Sequence, residues 1–411
     1  MLSNQLFPFV KVWKAVKKRL IRLKNSLLIS VSQLLPFSSK YIGTPKGYYA
    51  LSKEYFNNQK ADESVGYTSF LPSSAIKRVP PKSTFEEIHW KFLKNCSYTS
   101  PETFVISIPS GRVVGELGTV ITHDDKLLLD VSMQFGVGRS VKWAKLHSIF
   151  SYIKLPHCQQ LPHTAAVLAT ASGGNYFHWL TDALPRFEIL RRALPNGIEG
   201  IDKFLVNEGV SAVVESLEML NISRDQLIFL DSTTQIQAET LIVPSFPGDT
   251  CNSPAWVCSF LRNTFLRYKA NISPISKLYI SRSKAQYRRI NNEGDVLECL
   301  SKLGFTPICL EDYDFSTQIA LLSNAEVVVA PHGAGLTNLV WCSSTTKVLE
   351  IFSPNYLNLS FWAIANHVGL EYFYLIGDGQ RPPDFADPYL IEDDIHVPID
   401  KLARSLEMLL T

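Results

Sequence analysis

Long apolar runs, paired cysteines and a dominant charge are all missing from this sequence of 411 residues. A membrane-spanning helix needs about 20 consecutive apolar residues. The best stretch, Leu27 to Leu35, is far shorter and carries Ser and Gln. The seven cysteines (Cys96, Cys158, Cys251, Cys258, Cys299, Cys309 and Cys342) are odd in number, scattered, and never spaced Cys-x-x-Cys. That excludes a disulfide framework and predicts reduced core thiols in a reducing compartment. A net charge of +2 is too small for wholesale nucleic-acid binding. The basic start is too long for a cleavable signal peptide, and no Ala-x-Ala site follows it. No repeat or low-complexity tract occurs. What is present is 46% hydrophobic and 19% charged, the composition of a well-packed globular protein with room for two domains.

The first 35 residues differ from the rest. Phe9, Trp13, Val16, Leu20, Leu23 and Leu27 recur every three or four residues, and Lys11, Lys14, Lys17, Lys18, Arg22 and Lys24 fill much of the remaining surface. This pattern predicts a basic amphipathic helix over 1–35 that meets an anionic membrane surface through residues 9–28. Docking on its own protein, or on a partner helix, are the alternatives. Residues 36–102 read as an irregular lead-in. A first α/β unit follows over 103–250, a second over 251–385, and a C-terminal helix over 386–411. The Pro/Gly/Ser-rich stretch Pro244 to Pro254 is the expected linker.

In the first unit, short strands around Phe104–Ile108, Gly118–Ile121 and Leu127–Val131 enclose the turn His123-Asp124-Asp125-Lys126. Asp-Asp between two strands is read as turn chemistry, not a metal site. Beyond His163, strands and helices alternate, with a helix from Tyr176 to Arg192 and strands near 203–206, 227–230 and 240–243. The second unit alternates likewise, with strands near 278–280, 306–310, 326–330 and 347–352. Alternation of this kind means parallel sheets covered by helices, with ligands held in a crevice at the carboxyl ends of the strands.

Two motifs sit at such strand ends. The first is His332-Gly333-Ala334-Gly335-Leu336-Thr337-Asn338, behind the run Val327 to Ala330. It reads as strand, tight turn and helix, a place where backbone N–H groups meet a phosphate. The third glycine of the dinucleotide fingerprint would fall at Asn338, and no Gly-Lys-Ser/Thr follows, so neither that motif nor a Walker loop is present. Upstream, the segment Ser281-Arg282 through Arg288-Arg289 supplies cations for the same anion. The second motif is Asn175-Tyr176-Phe177-His178-Trp179-Leu180-Thr181-Asp182. His178 and Asp182 share one helix face, as a general base and its orienting carboxylate would, or as a pair that only braces the helix. No metal is expected. Asp312-Tyr313-Asp314 is a weak metal motif, because Asp314 or Ser316 suits the N-cap of the next helix.

Three blocks in order, Asn175 to Arg186, Ser281 to Glu293 and Pro331 to Asn338, give a chain that resembles glycosyltransferase family 61 over roughly residues 100–385. The resemblance implies a GT-B-like arrangement, with two Rossmann-like domains facing across a cleft. It implies inverting transfer from a nucleotide sugar, usually UDP-linked, with no required cofactor. The acceptor would be a glycan or lipid-linked glycan of a capsule or other surface polysaccharide. The location expected is cytoplasmic, peripheral on the inner face of the cell membrane. On this reading His178 is the base and Asp182 its positioning partner, with Asp182 acting directly as the alternative. Arg282, Arg289 and the 332–338 turn would hold the diphosphate, and His332 would meet the diphosphate or donor sugar. Asn292 and Glu293 would support the arginines or contact the donor, or else begin a helix. Glu350 would meet the ribose, and Asn175, Trp179 and Arg186 would lie on the acceptor side.

Overall fold

The computed structural model describes residues 3–59, 62–83, 86–136, 141–385 and 391–411, with side chains from Trp13 onward except at Ser83. The expected Phe9 and Lys11 side chains, and residues 386–390 of the expected C-terminal segment, lie outside the described residues.

Among the described residues the strands form a ten-stranded sheet, a six-stranded sheet and a two-stranded ribbon. The core of the larger sheet is parallel. Strand Cys158–Val167 pairs with Gln235–Pro244 on one side and with Lys203–Asn207 on the other, and Leu227–Leu230 follows outside. An antiparallel wing completes it: Thr103–Pro109 and Arg112–Val114 both pair with Gln235–Pro244, and Thr119–Ile121 and Leu127–Leu128 follow. The turn holding Asp124 and Asp125 lies in this wing. Asp125, at φ 66°, makes a buried ion pair with Arg112, which confirms turn chemistry there.

The six-stranded sheet is parallel throughout. Its order is Thr306–Ile308, Lys277–Ile280, Val327–Pro331, Lys347–Phe352, Glu371–Ile376 and Lys82–Ser83. That last strand corrects the irregular reading of residues 36–102. The stretch supplies strands to both sheets, including Gly66–Leu71 on the larger one, and helices Ser52–Asn58 and Trp90–Lys94. Such short pieces carry too little periodicity to be read from sequence, and they form because neighbouring edges offer unpaired backbone groups.

Both sheets have a topological switch point, where successive strands leave in opposite directions. In the larger sheet it lies between Cys158–Val167 and Gln235–Pro244, and in the smaller between Lys277–Ile280 and Val327–Pro331. One apolar cluster joins the helices of the two sheets and includes Trp179, Leu184, Phe187, Phe265, Phe315, Trp341 and Trp362, all buried. Burying each such ring contributes on the order of 1.5–3 kcal/mol. No helix among the described residues is long and apolar enough to cross a membrane.

Candidate active site

The site is built from the loops at the two switch points. After strand Cys158–Val167 the chain turns through Ser172 at φ 61°. Gly173 and Gly174 then pass so close to the next loop that a Cβ on Gly174 would lie 2.1 Å from the Glu208 carbonyl oxygen. Asn175 caps the helix that follows, its Oδ1 accepting from the Phe177 N–H at 3.0 Å. The expected single helix from Tyr176 to Arg192 is interrupted. Tyr176–His178 is α-helical, Trp179–Ala183 is a π turn, and Pro185–Ala193 is α-helical again. Pro185 is the cause: it has no N–H to give Thr181, and the Leu184 N–H reaches back five residues to the Trp179 carbonyl at 2.7 Å. In this widened turn His178 Nδ1 lies 2.8 Å from Asp182 Oδ2. Asp182 is buried and His178 half-buried. The carboxylate holds the proton on Nδ1, so Nε2 carries the lone pair a base needs.

The smaller sheet contributes a second such pair. His332 Nδ1 is bonded to the Glu350 carboxylate, which also accepts from the Tyr372 hydroxyl; His332 and Glu350 are both buried. The His332 ring stacks on Phe352 and is flanked by Tyr356 and Phe361. Burial lowers its proton affinity below the ordinary histidine range. Glu350 opposes that shift, while Arg288 and Arg282 add to it. His332 is therefore neutral near pH 7.

Arg282 leaves strand Lys277–Ile280 and lies flat over Gly333. A Cβ on Gly333 would meet Arg282 Nη1 at 1.7 Å and Cζ at 2.6 Å. Gly333 is extended (φ 179°), so the glycine is needed here for space, not for its backbone freedom. Arg282 Nη2 donates to the Tyr287 carbonyl at 3.0 Å, and burial holds its proton affinity below the usual range. Arg288 lies against the Tyr287 and Tyr356 rings, each 4.8 Å from its guanidinium carbon. The Nε atoms of both arginines are buried without a partner. Buried guanidinium donors left unpaired are costly. Both arginines also line cavities in which an anion with several acceptor oxygens would fit.

Two adjoining cavities meet at Arg288. A cleft of about 860 Å³ is lined by Phe135, His178, Cys251, Arg288, His332 and Tyr356, among others. A pocket of about 460 Å³ is lined by Arg282, Arg288, Leu310, Glu311, Tyr313 and Gln318, among others. Asn175, Tyr287 and Ala334 also face both. Together they are large enough for a ligand of several rings.

His178, Asp182, Asn175, Arg282, His332, Gly333, Ala334 and Gly335 are thus gathered at one place. Several other expected site residues are not. Arg289 pairs with Asp394 at 3.1 Å, and its neighbour Arg288 takes the place at the cavities. Arg288 has φ 56°, a turn that sends consecutive side chains apart and is uncommon for arginine, so spacing alone did not reveal it. Trp179 is buried with its indole N–H on Ser216 Oγ at 2.9 Å. Arg186 is buried and ties the switch point of the larger sheet, donating to the carbonyls of Ala169 at 2.6 Å and Pro244 at 2.7 Å. Neither faces an acceptor.

Asn292 clamps Val397 through both its amide N and O, and Glu293 accepts from the Tyr279 and Ser281 hydroxyls. A helix does begin at Glu293. Glu350 sits behind His332 and not at a ribose position. Leu336, Thr337 and Asn338 are buried within a 3₁₀ helix, Ala334–Trp341. There the Thr337 hydroxyl and Asn338 amide bond the carbonyls three residues back, which favours the tighter coil over an α-helix. Asp314 caps helix Phe315–Ser323 through the Thr317 N–H at 2.8 Å, and Asp312 pairs with Lys284. Among the described residues no group of three or more His, Cys, Asp or Glu side chains is placed to hold a metal ion.

The fold and this cleft define a mixed α/β protein with paired histidine–carboxylate groups and two cavity-lining arginines where two sheets meet. Residues 176–349 match the model of the family Glycosyltransferase 61. That segment is less than half of the chain, and through it the chain is similar to glycosyltransferase family 61. It is similar to an EGF domain-specific O-linked N-acetylglucosamine transferase of Drosophila melanogaster, 29% identical over 21% of this chain and 17% of that protein. A β-1,2-xylosyltransferase of Oryza sativa subsp. japonica is 33% identical over 20% of this chain and 17% of the relative. A protein O-linked-mannose β-1,4-N-acetylglucosaminyltransferase 2 of Bos taurus is 33% identical over 29% and 22%. The chain spans about a fifth of the length of these curated relatives. The family description and the names of these relatives are those of glycosyltransferases.

Proposed function

We propose that this chain transfers a sugar, with inversion, from a UDP-linked donor to a glycan or lipid-linked glycan acceptor in surface-polysaccharide synthesis. The two sheets are read as the halves of a GT-B arrangement, the smaller one holding the donor. The observation that carries the reading is the pair of arginines at two adjoining cavities, Arg288 lining both and Arg282 the smaller, inside the segment that matches the family 61 model. The nucleoside fits the smaller pocket beside Leu310, Tyr313 and Gln318. The diphosphate fits against Arg282 and Arg288, and the sugar and acceptor fit the larger cleft.

The acceptor hydroxyl oxygen attacks the anomeric carbon from the face opposite the diphosphate. The bond to the diphosphate oxygen breaks, and the hydroxyl proton passes to His178 Nε2. Asp182 then stabilises the imidazolium through Nδ1. His332 is a poor base, because burial disfavours a proton there and Arg288 and Arg282 add to that against the opposing Glu350. No metal is required on this reading: the arginines take up charge on the leaving group, each worth about 2–4 kcal/mol in the transition state.

The test is a thermal-shift panel of UDP, GDP, CMP and NAD in EDTA, followed by transfer assays on wild type and His178→Ala. A shift with UDP and loss of transfer in the variant are expected. No shift with any nucleotide, with or without a divalent cation, would sink the donor assignment and favour a non-catalytic binding module. Undiminished transfer by His178→Ala would remove the base.

A further inference from the structure

The N-terminal helix, Ser3–Leu34, lies on the body of the protein by its polar side. Asn25 is fully buried, donating to the Lys145 carbonyl at 2.7 Å and accepting from Ser151 Oγ at 3.1 Å. Ser32 is buried and accepts from the Thr44 N–H at 3.1 Å, and Gln33 donates to the Lys46 carbonyl at 2.8 Å. Ile29 is the buried apolar residue of this contact. The opposite side is inverted relative to an ordinary surface helix. Trp13, Val16, Leu20, Leu23, Leu27, Val31 and Leu34 are all exposed, Leu34 by 85%. Beyond the helix, Phe37, Tyr41 and Ile42 are exposed as well. The Gly43 N–H bonds the Ile153 carbonyl at 2.9 Å, which sets this turn beside Ile153, itself exposed. A contiguous apolar face of this kind marks an interaction surface.

Charge identifies the partner. Residues 1–46 contain nine Lys or Arg and no Asp or Glu, so the other 365 residues hold 31 basic against 38 acidic groups. Lys14, Lys17, Lys18, Arg19, Arg22 and Lys24 are exposed on the helix, and Lys142 sits nearby with its ammonium, like that of Lys18, over the Trp143 ring. The alternating three- and four-residue spacing would also suit a coiled coil with a second copy. That pairing would set two basic helices together with no carboxylate on either to offset them. At an anionic lipid surface the same charges attract, and the acidic remainder of the chain is repelled, so one end only is presented.

We infer that the exposed face of this helix, with Phe37, Tyr41 and Ile42, docks in the plane of an anionic lipid bilayer. The inference does not depend on the transfer reaction. The experiment is flotation of the full chain with phosphatidylcholine vesicles, with and without phosphatidylglycerol. Binding to the anionic vesicles about tenfold tighter or more, weakened by salt, is expected. The variant Leu20→Gln/Leu23→Gln/Leu27→Gln alters exposed positions only, so it keeps its thermal unfolding profile and loses that binding. Lys17→Glu/Lys18→Glu/Arg22→Glu loses the preference for phosphatidylglycerol. Equal flotation of the leucine variant and wild type would overturn the proposal. So would absence of binding, or a dimer in sedimentation equilibrium that the leucine variant converts to monomer, which would assign the face to a second copy.

Discussion

Replacing Gly333 with alanine separates the role of Arg282 from the stability of the fold. Because Gly333 is extended, the new residue carries no backbone strain, and the lower entropy of the unfolded chain favours folding slightly, by about 0.4–1 kcal/mol. The only collision is with the Arg282 guanidinium, 1.7 Å from the new Cβ at Nη1. The tip of a long side chain moves away easily, so Gly333→Ala folds but displaces the cation. If Arg282 binds charge that grows on the leaving diphosphate, kcat/KM falls by roughly 30- to 1000-fold, corresponding to about 2–4 kcal/mol. Arg282→Ala shows a loss of the same size. The decisive assay is the double-mutant cycle: in the Arg282→Ala background, Gly333→Ala costs less than about twofold, because the group it displaces is already gone. Thermal unfolding and UDP affinity are measured on all four proteins. Full additivity of the two losses, or unaltered transfer by Gly333→Ala, would refute the reasoning.

Arg288→Ala loses donor binding and transfer by about 100-fold or more, whereas Arg289→Ala changes kcat/KM by less than about twofold, since it removes only an exposed pair with Asp394. UDP titration of both variants checks the assignment. Tyr176→Phe removes the 2.6 Å bond from its hydroxyl to Asn338 Oδ1 across the two units. It costs about 1 kcal/mol in chemical unfolding, because Asn338 Oδ1 keeps the Trp341 N–H at 2.8 Å. Burial pushes His147 down to about 4, with its Nδ1 accepting from the Ile149 N–H at 3.2 Å. The unfolded chain takes up this proton near pH 6.5, so stability present above that pH is lost as pH falls from about 6.5 to 4, by roughly 3 kcal/mol in all. His147→Asn keeps an acceptor there and flattens that part of the slope in urea unfolding measured from pH 7 to 4. An identical slope in the variant would exclude His147 as a source.

Much of the architecture was legible because apolar periodicity is a local signal. The strands at Lys203–Asn207, Leu227–Leu230, Lys277–Ile280 and Lys347–Phe352 lie where short apolar runs stand between polar and turn residues. The π turn was not legible as such. Pro185 stands inside a helical pattern, and sequence alone does not say whether the chain breaks, kinks or widens there. Arg186 was misplaced for a related reason. A charged side chain on a helix reads as solvent-facing or ligand-facing, yet here backbone carbonyls freed at the ends of two strands solvate it completely. The choice between Arg288 and Arg289 turned on a single left-handed backbone position.

The three sequence blocks are better understood as one junction than as three sets of ligand contacts. Tyr176 of the first block bonds Asn338 of the third, and Phe177 packs at 5.7 Å on Phe361 in the helix Ser360–Val368. Arg282 of the second block fills the space that Gly333 of the third leaves open. Asn338 in turn holds Gln318 through its amide at 3.0 Å, next to the pocket proposed for the nucleoside. The Tyr176–Asn338 bond and the Phe177–Phe361 contact fix the two sheets against each other, and the other two contacts brace the smaller sheet's half. A metal-free transfer would need that rigidity. An anion held by two arginines and a base held by one carboxylate act together only when the reacting atoms are aligned to a few tenths of an ångström, and a loose hinge would forfeit the advantage of orientation. The buried Tyr176–Asn338 bond contributes to that alignment, and His178, Arg282, Arg288 and His332 line the cavities beside it.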